Sequence, residues 1–308
     1  MTLKKEKIKA IIEIMRPSNV IFGSITTTIS VLTVNEILRV DLGISLSSFS
    51  LATFIALSYF TYFSIAIAGN IVNDIFDIEV DRVNRPDRPL PSGRIKVNEA
   101  KMLTVIFWVT GVILAFLTNM LGGVIAIAFS IIGLLYAAKG KVMGLIGNFM
   151  VSFSFSFGLL YGALIVYYQL LGLVGVPPII WLYFITAFMV LQGREIIKGI
   201  EDIEGDAVRG VQTIARKYGV KKAAKISQIF NIVGMISFTS ALILSITGIT
   251  SLPKIFFSIL YVPGMLCVGG STLLIYSNPE SGRNQRKASL LDKLGAFLGL
   301  LAFLIGVV

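Results

Sequence analysis

Apolar residues along this chain fall in long runs, without the alternation of half-buried strands or the stripes of amphipathic helices. Nine runs stand out, over 17–38, 49–72, 102–118, 122–138, 142–168, 176–193, 226–247, 253–276 and 290–308. A helix rises 1.5 Å per residue, so about 20 apolar residues cross the hydrocarbon layer of a membrane. The runs therefore predict an all-α fold, a polytopic membrane protein with nine transmembrane helices forming a single domain over 1–308. The links between runs are short, apart from 73–101 and 194–225.

Composition agrees: 55% of the 308 residues are hydrophobic and 14% charged, against about 25% charged in soluble domains. One cysteine, Cys267, excludes a disulfide scaffold and a Cys-ligated metal site. The absence of histidine excludes an HExxH site, a haem-binding His and a His general base. The net charge of +10 does not mark a nucleic-acid partner, because the basic residues sit in links between apolar runs. Numbering those links alternately puts 25 of the 27 Lys and Arg on one side, leaving only Arg39 and Lys254 on the other. By the positive-inside rule this predicts a multi-pass cell-membrane protein, N-terminus cytoplasmic and C-terminus extracytoplasmic. The first run lacks a small-residue cleavage site and reads as a retained span.

Acidic residues concentrate in the two long links, each following an even-numbered span. The first cluster contains Asn73, Asp74, Asp77 and Asp81, which a continuing helix places within an arc of about 100°, with Glu79 on the opposite face. Such an oxygen-rich face at a span end needs cations, and Mg²⁺ commonly uses one or two carboxylates plus substrate phosphates. The second cluster puts Glu195, Lys198, Asp202 and Asp206 on one helical stripe. Arg209, Arg216 and Lys217 follow it. Asp74 to Asp202 is 128 residues and Asp77 to Asp206 is 129, which suggests a duplicated four-helix unit with a ninth span added. Of the flanking basic residues, Arg82, Arg85, Arg88 and Arg94 also satisfy the positive-inside rule.

Asn73-Asp74-x-x-Asp77-x-x-x-Asp81 resembles the first aspartate motif of the UbiA superfamily of intramembrane prenyltransferases, and Asp202-x-x-x-Asp206 resembles the second. Arg16-Pro17-x-Asn19, Arg88-Pro89-Leu90-Pro91-Ser92-Gly93, and Tyr136 before Lys139 and Lys141 are similar to further family features. One departure is Gly199, where many members carry an aspartate. The resemblance implies helices bundled around a central cavity, with both motifs binding a prenyl diphosphate donor through Mg²⁺. It implies catalytic roles for Asp74, Asp77, Asp81, Asp202 and Asp206, with metal ligation by Asn73, Asp77, Asp202 and Asp206. It implies substrate contacts from Arg16, Asn19, Arg85, Arg88, Tyr136, Lys139, Lys141, Arg194 and Lys198.

That chemistry suits the residues. Loss of diphosphate from an allylic carbon needs its charge neutralised, which metal ions, Arg and Lys can do. A water-poor cavity protects the resulting cation. The run Phe153, Phe155, Phe157 reads as lipid-facing or core. Arg194 to Asp202 is similar to archaeal members that transfer geranylgeranyl from its diphosphate to geranylgeranylglyceryl phosphate. The small acceptor is then a lipid; the alternative is an aromatic acid, as in 4-hydroxybenzoate polyprenyltransferases. An ion-coupled secondary transporter is the rival from another class, but it places ionisable groups nearer the bilayer midplane.

Overall fold

A computed structural model describes residues 2–204, 210–247 and 254–305. Among the described residues, nine helices are long and apolar enough to cross a membrane, and there is no strand. The spans are α2 (Pro17–Leu42), α3 (Ser48–Phe76), α5 (Val97–Thr118), α6 (Met120–Ala138), α7 (Leu145–Leu171), α8 (Pro178–Glu201), α10 (Val220–Ile246), α11 (Lys254–Ser277) and α12 (Gly282–Ile305). Three shorter helices lie between or before them: α1 (Thr2–Met15), α4 (Ile78–Asn84) and α9 (Ile214–Tyr218). Hydropathy did not reveal these, since they carry too few apolar residues to register as runs.

Local signals set several boundaries. Pro17 occupies the first turn of α2, where its missing N–H is no loss. Gly43 and Gly172 close α2 and α7 in the left-handed conformation. The Asn119 side chain caps α6 by accepting from Gly122 N–H, at 2.9 Å, and its amide donates to Ile165 O on α7.

Consecutive spans pack side by side, and α12 returns to α2, so the nine helices form a closed ring. The two halves meet where α2 crosses α7. There Ser30 Oγ donates to Leu159 O, and Gly158 and Gly162 let the backbones approach. A Cβ on Gly162 would stand 2.6 Å from Thr27 O and 2.8 Å from Ser30 Cβ.

An internal repeat is visible in two small apolar cavities, one beside each motif-bearing helix. The first is lined from α3 by Thr61, Tyr62 and Ile65; the second is lined from α8 by Thr186, Ala187 and Val190, each 125 positions later. Ile125, Ala126 and Phe129 of α6 match Gly264, Met265 and Val268 of α11, each 139 positions later. Phe157, Gly158 and Tyr161 of α7 match Gly299, Leu300 and Phe303 of α12, each 142 positions later. The duplication therefore runs at a spacing of 125 in the motif-bearing helices. That corrects the 128 and 129 obtained by pairing Asp74 with Asp202 and Asp77 with Asp206.

Phe153, Phe155 and Phe157 pack against the main core, and Phe153 stacks with Phe129 and Phe149. Because α12 begins at Gly282, Asp292 lies well inside a span and is fully buried. Asn231 Nδ2 donates to its Oδ1 at 3.1 Å, which ties α10 to α12.

The α2–α7 crossing generates a stability prediction. Gly162→Val forces backbone apart at the seam between halves, and overpacking of this kind costs about 1–3 kcal/mol. Thermal unfolding in detergent micelles checks it: the variant is expected to melt several degrees lower, and an unchanged melting temperature contradicts the seam.

Candidate active site at the charged end of the bundle

The first aspartate motif sits on a helix that bends without losing its register. Helix α3 stops at Phe76, Asp77 holds φ −90° and ψ 0°, and α4 starts at Ile78. Backbone bonds continue across the bend: Asp77 N–H donates to Asn73 O (3.0 Å), and Asp81 N–H to Asp77 O (2.8 Å). The single uninterrupted helix expected from the pattern is thus kinked at Asp77, while the four-residue ladder that aligns the acids persists. Glu79 faces out, exposed, and among the described residues pairs with Arg82 of its own helix at 2.9 Å.

Asp74 and Asp81 are buried, with 5% and 2% of their surface exposed. Both are held by guanidinium groups. Arg88 Nη1 lies 2.6 Å from Asp81 Oδ2 and 3.5 Å from Asp74 Oδ1, and Arg16 Nη2 contacts Asp74 Oδ1. Arg16 is the one non-glycine residue with positive φ among the described residues, at +52°. It also precedes a proline, which disfavours helical backbone of that kind. Asn70 Nδ2 donates to Met15 O at 3.1 Å and fixes the elbow that aims Arg16 at the motif. Nearby, Glu13 hydrogen-bonds Arg94 and raises its pKa above the ordinary arginine value.

The second motif repeats the bend. Helix α8 ends at Glu201, and Asp202 holds φ −96° and ψ 17°, with its N–H donating to Lys198 O at 2.8 Å. Asp202 is therefore the counterpart of Asp77, Lys198 of Asn73, Gly199 of Asp74, and Glu195 of Asn70. Thr213 is the counterpart of Arg88, and a Cβ on Gly199 would lie 3.5 Å from the Thr213 side chain. This half has a neutral threonine where the other half has the arginine that balances Asp74.

Within the second motif, Glu195 Oε1 accepts from Lys198 Nζ at 2.8 Å and from Arg194 Nη1 at 3.1 Å. Arg194 Nε also donates to Ser289 O of α12. Tyr136, near the end of α6, feels the charges of Glu195, Asp77 and Arg16, so it stands between the two motifs. Asp202, Arg85, Lys139 and Asn19 are exposed at this end, and Asn73 and Asp77 are half-buried. Asp206 and Arg209 lie outside the described residues, as does the side chain of Lys141.

The structure thus brings Arg16, Asp74, Asp81 and Arg88 into one network, and Arg194 and Lys198 into another around Glu195. The sequence placed Glu195 on the acidic stripe without a role, and gave Asn70 none. The 125-residue register is the signal that pairs them. The described donors at the two bends are hard oxygens, Asn73, Asp77 and Asp202, which fit a divalent cation such as Mg²⁺. Among the described residues no three acidic side chains yet converge as a ligating group.

Comparison with known proteins places this geometry. The profile described as UbiA prenyltransferase family matches residues 28–307. The chain belongs to the UbiA prenyltransferase family. It is a prenyltransferase embedded in the membrane by several spans. The chain is 31% identical to the digeranylgeranylglyceryl phosphate synthase of Sulfurisphaera tokodaii, covering 97% of this chain and 98% of that one. It is 34% identical to the synthase of the same name from Methanocaldococcus jannaschii, covering 98% of each. A solved structure of a digeranylgeranylglyceryl phosphate synthase in membranes aligns at TM-score 0.73 and 31% identity, over 98% of this chain and 99% of that one. A UbiA homologue from Archaeoglobus fulgidus, bound to GPP and Mg²⁺, shares the fold at TM-score 0.65 and 16% identity, over 96% of this chain and 99% of that one.

The Arg88 pairings yield a test. Arg88→Leu leaves buried Asp81 without its counter-charge, a change that typically destabilises by about 3–5 kcal/mol. Adding Asp81→Leu is expected to restore much of the loss, measured by thermal unfolding in detergent. A double variant as unstable as the sum of the single changes contradicts the pairing.

Proposed function

We propose that this prenyltransferase transfers a geranylgeranyl group from geranylgeranyl diphosphate to geranylgeranylglyceryl phosphate, making the second ether bond of an archaeal lipid. The observation that carries this reading is the near full-length similarity to synthases of that product, in a chain with both motifs placed at matching bends. The charged end faces the cytoplasm in this reading, as the 25-to-2 division of basic residues favours.

The donor diphosphate lies at the mouth between the two bends. Asn73, Asp77, Asp202 and Asp206 would hold Mg²⁺ there, with Asp74 and Asp81 supporting them. The ion supplies positive charge that weakens the bond to the leaving diphosphate. Arg16, Arg88, Arg194 and Lys198 add fixed positive charge around the same oxygens, stabilising charge that develops as the bond breaks. Tyr136 borders the reacting carbon, and the apolar bundle below excludes water from the allylic cation.

The acceptor brings a second anionic group. A phosphate monoester carries nearly two negative charges near neutral pH, so the rim needs more cations than a benzoate requires. Arg85, Lys139 and Lys141 supply them, with Asn19 as a polar contact. Guanidinium groups suit bidentate phosphate binding, while lysines act as point charges.

Three outcomes are expected. Purified protein given geranylgeranyl diphosphate makes the diether phosphate, identified by mass, and excess EDTA stops it. Prenylation of 4-hydroxybenzoate alone would move the protein to an aromatic-acid acceptor. Asp77→Ala and Asp202→Ala each lower the rate on the order of 10²-fold or more, while Glu79→Ala behaves nearly as wild type. In a Cys267→Ala background, a cysteine replacing Ser92 is labelled from the cytoplasmic side and one replacing Ser45 from outside; equal labelling from one side overturns the orientation.

A further inference from the structure

Among the described motif carboxylates, Asp74 and Asp81 are held in guanidinium pairs, and Asp77 and Asp202 sit at the helix bends. The transfer still leaves one proton to be removed. An alcohol that attacks the allylic carbon becomes a protonated ether, and that proton must go to a base inside a water-poor site. With no histidine in the chain, a further carboxylate is the natural acceptor.

Glu195 meets the requirements. It lies seven residues before Asp202 on α8, hence about 10 Å deeper along the helix. That is the level of the reacting carbon if the diphosphate sits at the bends. Its side chain is 18% exposed, against 40% for Lys198 one turn nearer the mouth. Tyr136 of α6 is near enough to both Glu195 and Asp77 for their charges to act on it, which places Glu195 toward the α6 side of α8.

Its hydrogen bonds leave one oxygen to act. Lys198 and Arg194 both donate to Oε1, and among the described residues Oε2 accepts no hydrogen bond. Two cations on one oxygen fix the orientation of the carboxylate. A weak base suffices, because a protonated ether is a far stronger acid than any carboxylic acid. The repeat supports a separate role too. The counterpart of Glu195 is Asn70, whose amide fixes the α1–α2 elbow. The second half carries an ionisable group at that position.

We propose that Glu195 is the general base of the transfer. The acceptor hydroxyl oxygen bonds to C1 of the prenyl chain as the C1–O bond to diphosphate breaks. The electron pair leaves with diphosphate, and the hydroxyl proton passes to Glu195 Oε2 and then to water. This role rests on the prenyl transfer to an alcohol proposed above.

The test compares wild type, Glu195→Gln and Glu195→Asp in detergent, measuring ether product, free prenyl alcohol and diphosphate separately. With Glu195→Gln, kcat for ether formation is expected to fall on the order of 10²-fold. Donor KM stays within about twofold of wild type, and diphosphate release exceeds ether formation because water captures the cation. Glu195→Asp keeps the carboxylate and recovers part of kcat. A Glu195→Gln variant with wild-type kcat overturns the proposal. So does a loss confined to donor KM, which marks Glu195 as a mere anchor for Lys198 and Arg194. Should Glu195→Gln not fold, Glu195→Asp decides: a partial loss in kcat with coupled stoichiometry disturbed supports the base, and a change in donor KM alone sinks it. Wild-type protein inactive on the alcohol acceptor instead overturns the function itself.

Discussion

The architecture turns on placing carboxylates at the edge of a hydrocarbon slab. An ionised side chain loses several kcal/mol of hydration when buried, so each must find a cation or remain at the wet rim. Asp74 and Asp81 take the first course through Arg16 and Arg88. Asp202 takes the second and stays exposed. The loop that carries Arg88 and the elbow that carries Arg16 are therefore parts of the motif, although both lie outside its sequence pattern. A strained backbone at Arg16 is tolerated because its guanidinium lies against a buried acid and Asn70 holds the residue before it.

The internal repeat explains why only one half needs this arrangement. Both motif helices bend at the same point, at Asp77 and at Asp202, and both carry an apolar cavity at the same depth. Yet Asp74 and Arg88 in one half become Gly199 and Thr213 in the other. A buried ion pair in one half stands where the other half has a small neutral contact. The halves keep a common frame and differ in where they hold charge.

Nine spans were legible because hydrocarbon crossing requires an uninterrupted run of apolar residues. Ends were less so: α12 begins at Gly282, not at 290, because polar residues at the rim interrupt the hydropathy without interrupting the helix. The aspartate motifs were legible from helical spacing, since the ladder of backbone bonds survives the bend at Asp77. Their internal register was not. Pairing aspartate with aspartate gives 128, but the chain aligns helix bend with helix bend, and only coordinates show where a helix bends. The ion pairs from Arg16 and Arg88 were equally hidden, because they join residues 58 and 14 positions apart through the fold.

The vertical order of the site matches the substrates such a protein handles. Prenyl diphosphates are amphiphiles, charged at one end and apolar along the rest, and they enter from a membrane in that orientation. The protein mirrors this order along α8: exposed Asp202 at the rim, Lys198 one turn below, Glu195 and Arg194 next, then apolar Leu191 and Phe188. A soluble pocket would have to fold around the whole chain to exclude water from the cation. Here the bilayer and the closed ring of helices do so, and the chain needs polar side chains only over the last few turns. That division of labour is why so few charged residues, nearly all at one end, are enough for ionic chemistry inside a membrane.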